Sequence, residues 1–508
     1  MSASPPVATA AALATDVPVV PELPQLLGHP RPLWMLFMAE FWERFAFYGI
    51  RWALVLYIVT QFYGGDPSGQ APANLTYGSY LAMVYATAIF GGYIADRVIG
   101  YQRSILLGAA FMAAGLLAVS VPNAQIFKLG LATIVVGNGM FKPNISTMVG
   151  KLYAPGDARR DSGFTIFYMG INGGAFIAPI LTQLLAQKVF GTEAMPAYKV
   201  VFLAAAVGMV ISLVWFGIGR RQLGEIGKPP PGAESPLRVV QVAIGAAVAV
   251  PLVYLLFAAG AATLQTVLMV LFVPLVVLLV VAGVREGPQA RDKAIAMLII
   301  FVFNVLFWMF FEQAGSSFNF LADKIVDRDL GGWIFPTAYF QSVNSVAIIA
   351  LAPVVAWVWL AMERRKMNPS IPRKFGLGLL GNAFAFLLLM YALSHLVDAN
   401  NKIPFWTLTT VYVLQSVGEL CLSPIGLSMV TKLAPTRVVG LGMGGWFLSI
   451  GIGNNLSGIF AGHVSGEKGL SIESALQGYT LGFTALAIAG VTLFLVAPWI
   501  RRLMHGVA

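Results

Sequence analysis

Fourteen times along this chain, a run of apolar residues long enough to form a membrane helix passes without a turn signal. The runs cover about residues 33–60, 78–98, 104–121, 126–150, 162–187, 198–218, 238–258, 263–284, 295–315, 337–361, 376–396, 404–432, 440–463 and 479–500. About 20 such residues span the hydrocarbon of a bilayer. Inside hydrocarbon every backbone N–H and C=O must find its partner within the protein, which leaves helices as the economical solution. Turn formers such as Asp66-Pro67-Ser68-Gly69 separate the runs. Only 11% of the 508 residues are charged, against about 25% in soluble proteins. The expected fold class is therefore an all-α polytopic membrane protein. The single cysteine, Cys421, rules out an intramolecular disulfide.

An even number of spans puts both termini on one side. Most of the 32 lysines and arginines fall in segments on that side, among them Arg97, Arg103, Arg159, Arg160, Arg220, Arg221, Arg364, Arg365, Arg501 and Arg502. Lys128, Lys188, Lys199, Lys324, Arg328, Lys402 and Lys468 fall on the other. The positive-inside rule then makes both termini cytoplasmic. The same distribution accounts for the pI near 9.6 as topology, and no nucleic-acid partner is implied. Residues 1–30 are rich in Ala, Pro and Val and contain no Lys or Arg. They read as a disordered cytoplasmic tail.

The first span carries charges that a lipid-facing helix would not. At about 100° per residue, Glu40, Glu43, Arg44, Phe47, Tyr48 and Arg51 fall within an arc of roughly 140°. Each charge at bilayer depth costs about 2.5–3.5 kcal/mol on insertion scales, so this face must look into protein or water. Lys142 follows Asn138 by one helical turn and needs an anion such as Glu40 or Glu43, in either a structural or a working pair. Glu312 closes the apolar run Phe301–Phe311, as an interfacial or a functional carboxylate. Glu419 sits mid-helix between Gln415 and Ser423-Pro424. The buried set thus holds three positive and four negative charges, and one proton would neutralise it. The histidines His29, His395, His463 and His505 lie in the tail or loops, so a transported proton must ride on a carboxylate. Gln341 and Asn344 share a face of the tenth span, as a helix–helix contact or a ligand contact. Tyr48, Tyr85 and Trp446 are by themselves ordinary membrane-helix aromatics. Asp96 and Arg97 end the second span, as a latch on the cytoplasmic side or as a topology anchor.

The chain also repeats itself. Gly137–Pro143 followed by Met148-Val149 recurs as Gly418–Pro424 followed by Met429-Val430, and Asn172 recurs as Asn454. Spans four and five thus match spans twelve and thirteen. That register makes two six-helix halves, with spans seven and eight inserted between them. The expected divisions are a tail 1–30, an N-terminal bundle 31–219, a linker with two extra helices 220–294, and a C-terminal bundle 295–508.

The charged motifs together resemble those of the proton-dependent oligopeptide transporters, a family of the major facilitator superfamily. They are Glu40-x-x-Glu43-Arg44-Phe-x-Phe-Tyr48-Gly-x-Arg51, Gly-Asn-Gly-x-x-Lys142-Pro-Asn, Phe167-Tyr168-x-x-Ile-Asn172-x-Gly, Phe311-Glu312-Gln313-x-Gly-Ser-Ser and Phe340-Gln341-Ser-x-Asn344. The resemblance covers the chain from about residue 33, and the two extra helices resemble the bacterial members. It implies the major facilitator fold and an inner-membrane symporter driven by protons that imports di- and tripeptides. It places Arg51 and Lys142 near the peptide carboxylate, and Glu419, Asn344 and Asn172 near its amino group. Gln341 joins the substrate-binding set, and Tyr48, Tyr85 and Trp446 would line side-chain pockets. Glu40, Glu43 and Arg44 would pair with Lys142, and Glu312 with Arg51, as the proton-coupling set. Phe47 stands where relatives usually have a tyrosine. The absence of a histidine on the second helix moves proton coupling towards Glu312. No cofactor or metal is implied. A carrier of another small anion or zwitterion is the neighbouring alternative. An intramembrane enzyme would need a nucleophile–base pair or metal ligands in one cavity, and the spans offer none.

Overall fold

A computed structural model of the chain describes residues 23–154, 157 and 159–507. Among them, fourteen long helices alternate in direction: α1 Arg31–Phe62, α2 Pro67–Ile99, α3 Tyr101–Val119, α4 Ala124–Lys151, α5 Arg160–Val189, α6 Tyr198–Leu223, α7 Pro236–Ala259, α8 Ala261–Glu286, α9 Pro288–Lys324, α10 Tyr339–Arg364, α11 Ile371–His395, α12 Phe405–Leu433, α13 Val439–Ser465 and α14 Ile472–Leu503. Thirteen are long and apolar enough to cross a membrane on hydropathy alone. The exception, α13, reads as too polar because Asn454, Asn455 and a run of glycines and serines are buried inside the protein.

Helices α1–α6 pack on one another as one bundle and α9–α14 as another. The expected twofold repeat is visible in the packing. Gly137 of α4 lies so close to the Gly108 carbonyl of α3 that an added Cβ would come within 2.6 Å of it. The equivalent Gly418 of α12 lies against the Gly378 carbonyl of α11, where the distance would be 2.7 Å. The repeated prolines, Pro143 and Pro424, sit inside α4 and α12. Helices α7 and α8 lie outside the bundles, α7 against α4 and α8 against α9 and α13. In each, only 22% of the most apolar stretch is buried, so lipid covers most of their surface. Polar ties hold both ends of α8: Asn455 Nδ2 of α13 donates to the Ala261 carbonyl and to Gln265 Oε1, both at 2.9 Å, and Glu286 accepts from the Thr436 and Arg437 amides at 3.0 and 3.1 Å.

The halves meet along two helix pairs, α2 with α13 and α5 with α10. Their hydrogen bonds are gathered on the distal side, away from the termini. Gln70 Oε1 accepts from the Leu470 amide (2.7 Å), Asn74 donates to Ser465 Oγ (3.0 Å), and Ser79 donates to Asn455 Oδ1 (3.1 Å). The α5–α10 pair contributes Gln183, which accepts from the Ala338 amide at 2.6 Å, and Ser342, which donates to the Phe176 carbonyl at 2.8 Å. Gly78 and Gly458 touch backbone to backbone between these bonds. The distal side is therefore closed.

Two expectations change. The second span begins at Pro67 rather than near 78, because Gln70, Asn74 and Ser79 are buried against the other half and hydropathy cannot see their partners. Residues 1–22 of the expected tail lie outside the described residues. Residues 23–30 are ordered as a small hairpin, β1 Gln25–Leu26 and β2 His29–Pro30, turning at Leu27-Gly28 with φ of 53° and 79°. It docks on the α4–α5 connection through His29 Nδ1 and Tyr153 OH (2.8 Å) and through Arg159, which donates to the Gly28 carbonyl at 3.2 Å.

Closure by glycine contact has a direct test. Gly458→Leu should force α13 away from α2. A distance measurement between spin labels at the exposed positions 68 and 468 should lengthen by several ångströms, with little change in the helix content seen by circular dichroism.

Candidate functional site

The sequence expected seven charged groups within the membrane, and the structure sorts them into three sets. The first lies wholly on α1. Arg44 donates from Nε to Glu43 Oε2 and from its terminal nitrogen to Glu43 Oε1 at 2.6 Å, and its Nε lies 3.4 Å from Glu40 Oε1. Asn138 Nδ2 of α4 donates to Glu43 Oε1 at 3.3 Å. A single turn of helix thus brings two carboxylates onto one guanidinium, all three fully buried.

The second set crosses between the halves. Arg51 of α1 donates to Glu312 Oε2 of α9 at 2.6 Å. Tyr77 of α2 completes it, accepting from Arg51 Nε at 2.8 Å and donating to Glu312 Oε2 at 3.3 Å. Sequence reasoning missed Tyr77 because it placed the residue just outside the second span. Glu312 reaches this position because α9 breaks there: the α-helix stops at Phe311, Glu312–Gly315 is a 3₁₀ turn, and the helix resumes at Ser317. A break at membrane depth frees carbonyl groups that need donors. Gln341 Nε2 and Tyr412 OH supply the Ala314 carbonyl at 3.2 and 3.1 Å, and Asn319 Nδ2 supplies Gly315 at 3.0 Å. Gln341 also donates to Asn319 Oδ1 at 3.0 Å. The Gln341 amide nitrogen thereby serves the helix break, while its Oε1 is buried without a partner among the described residues. Gly315 leaves the room that the Tyr77 hydroxyl occupies, since a Cβ there would lie 1.8 Å from it.

The third set is two charges without an ion-pair partner among the described residues. Lys142 of α4 forms no ion pair with Glu40 or Glu43, which face Arg44 instead, and Glu40 Oε2 is left buried without a hydrogen-bond partner among the described residues. Its ammonium lies 4.4 Å from the centre of the Tyr85 ring. Glu419 of α12 accepts a hydrogen bond from Asn344 Nδ2 of α10 at 3.2 Å, and the same amide donates to Ser416 Oγ at 2.9 Å. Tyr48 lies between the cations, its ring centre 6.0 Å from the Arg44 guanidinium carbon and 5.7 Å from that of Arg51. Tyr48, Arg51, Tyr85, Lys142, Asn344 and Glu419 all remain partly accessible.

Other expected members sit elsewhere. Asn172 donates to the Tyr168 carbonyl of its own helix at 3.0 Å rather than to Glu419. Trp446 is 2% exposed, packed on Phe301, Phe375 and the Gly426 backbone, so it belongs to the C-terminal core. Asp96 accepts from Tyr101 OH within its own bundle, and Asp96 and Arg97 are both exposed. Any latch they form is disengaged, as a closed distal side leads one to expect.

A family model described as the POT family matches residues 102–469. The chain belongs to the POT family. This family of transporters is part of the major facilitator superfamily. Its relatives include the peptide transporter YePEPT of Yersinia enterocolitica, 36% identical over 94% of this chain and 96% of that one. The dipeptide and tripeptide permease B of Salmonella typhimurium is 31% identical over 94% and 97%. Among solved POT structures, a variant of a peptide transporter in complex with alafosfalin superimposes with a TM-score of 0.81. It is 34% identical and covers 95% of this chain and 97% of that one.

The Asn344–Glu419 bond is the contact most accessible to mutation. A hydrogen bond to a charged group contributes about 1.5–3 kcal/mol. Asn344→Ala should therefore lower the melting temperature of the detergent-solubilised protein, measured by calorimetry, with helix content at ambient temperature unchanged.

Proposed function

We propose that this POT transporter is a symporter that imports di- and tripeptides with protons across the bacterial inner membrane, with both termini cytoplasmic. One observation carries the reading. The site holds an unmatched cation, Lys142, in the N-terminal half and an unmatched anion, Glu419, in the C-terminal half. A peptide is a zwitterion whose carboxylate and ammonium complement that pair, and Arg51, in the same half as Lys142, has the planar fork to receive a carboxylate in bidentate fashion. The names of the relatives support the same substrate class. Aromatic rings at Tyr48 and Tyr85 suit varied side chains, since they offer area without a demanding hydrogen-bond pattern.

Proton coupling follows from the Arg51–Glu312 bridge. A substrate carboxylate drawn to Arg51 competes with Glu312 and strands it as a buried anion, which then takes up a proton. A neutral Glu312 no longer attracts the other half, and the distal closure loosens. Peptide binding and proton binding favour one another, the reciprocity that symport requires. In this reading the bundles 31–219 and 295–508 rock about the site, with 220–294 as their connector.

A second reading, transport of another small zwitterion, draws on a POT-family transporter solved with 5-aminolevulinic acid. Competition of labelled dipeptide uptake in proteoliposomes by amino acids and by di-, tri- and tetrapeptides separates the two. Strong competition confined to di- and tripeptides supports the peptide symporter, and equal competition by single amino acids overturns it.

Two substitutions test the roles. Glu419→Gln is expected to weaken free-amine peptides at least about tenfold, with N-acetylated peptides little affected. Competition binding with both series would show this, and equal losses would exclude Glu419 as the ammonium anchor. Glu312→Gln mimics the protonated state. Accumulation driven by a pH gradient should vanish while peptide–peptide counterflow persists. Surviving accumulation would reassign the proton to Glu40 or Glu43.

A further inference from the structure

On the terminal side, far from the site just described, the start of α11 and the end of α14 enclose a cleft of about 360 Å³. Ser370, Arg373, Pro498, Arg501 and Arg502 line it. Among the described residues, none of these three arginines has a carboxylate within ion-pair distance. The acidic residue nearest in the chain, Glu363, is engaged by Asn368 at 2.7 Å, and Arg364, Arg365 and Lys366 add further exposed positive charge. Arg373 is held in place by stacking, with its guanidinium carbon 5.3 Å from the centre of the Phe494 ring.

The cleft does not stand alone. Ile488, Val491, Leu495 and Trp499 recur every three or four residues along α14, and all four are exposed, Leu495 by 72%. On a membrane-spanning helix that exposure is to acyl chains. One face of α14 therefore runs from hydrocarbon, past an aromatic ring suited to the interface, into three guanidinium groups. A soluble anion would have no use for the apolar stripe, and an uncharged lipid none for the arginines.

We propose that this cleft binds the phosphate of an anionic glycerophospholipid, whose acyl chains lie along the α14 stripe. Arginine suits the task because its fork of N–H donors matches phosphate oxygens. The first-turn amides of α11 and its helix dipole add to the positive field. Basic pockets between helices at a cytoplasmic surface are suited to such headgroups, with each basic residue contributing appreciably.

Native mass spectrometry of the full chain from mixed micelles of phosphatidylglycerol and phosphatidylcholine tests the proposal. The unmodified protein should retain phosphatidylglycerol in preference by about tenfold or more. Arg373→Gln/Arg501→Gln/Arg502→Gln should reduce the preference to within about twofold. Arg220→Gln/Arg221→Gln, a charge loss at the end of α6, should leave it in place. Should the triple variant fail to fold, the single variants Arg501→Gln and Arg502→Gln, both at exposed positions, should each lower the preference several-fold. Excess inorganic phosphate should not displace the lipid. An undiminished preference in the folded variants, or displacement by inorganic phosphate alone, would overturn the proposal.

Discussion

A charge at membrane depth must be answered by another charge or by a polar cage, and this requirement organises the interior of the protein. Arg44 meets two carboxylates on its own helix, leaving one negative charge over if both are ionised, whereas Arg51 reaches across to the other half for Glu312. The bridge requires α9 to break at Glu312, which in turn calls for Gln341, Tyr412 and Asn319 to supply the freed carbonyls. It also requires Gly315 to be bare so that the Tyr77 hydroxyl can sit between the ions. Removing one partner from such a buried pair is strongly destabilising, because the other is left as an uncompensated charge. A proton is a gentle way to undo it, since it neutralises the carboxylate instead of abandoning it.

The second organising element is small residues. Glycines at positions 78, 137, 418 and 458 bring helices together at backbone distance, within each half and between them. Lipid offers no hydrophobic reward for packing one helix on another, so close approach and hydrogen bonds must do it. The α2–α13 seam shows both, with Gly78 on Gly458 flanked by Asn74 and Ser79. Such a seam is tight when closed, with Leu75 and Ile89 of α2 resting on Gly462 and Gly444 of α13.

Much of this was legible beforehand, for physical reasons that differ by residue. The fourteen spans follow from hydropathy, and the charged face of α1 from helical periodicity. The twofold repeat shows in the recurrence of Gly137–Pro143. Arg51–Glu312 came from family resemblance rather than from spacing. The misses share a cause, which is that polar partners contributed by other helices are invisible in one segment. Tyr77 lay outside a span whose polar start is buried by α13. Lys142 was given the carboxylates that Arg44, one turn from Glu40, takes. The carbonyls that Gln341 supplies at the α9 break lie on another helix, out of sight of its own span. The slot that holds Trp446 is left by Gly426 on another helix. The ordered hairpin at residues 23–30 depends on Tyr153 and Arg159, distant in the chain.

The connector has a mechanical consequence. Helix α7 leans on α4 of one bundle, while the start of α8 is pinned by Asn455 to α13 of the other. The two helices join at Gly260, whose φ of 88° allows an abrupt reversal. Whatever separates the bundles on the distal side must pull on this one-residue joint. The hairpin is thus a strap of fixed length across their flank, able to cap the stroke of the machine without touching its cargo.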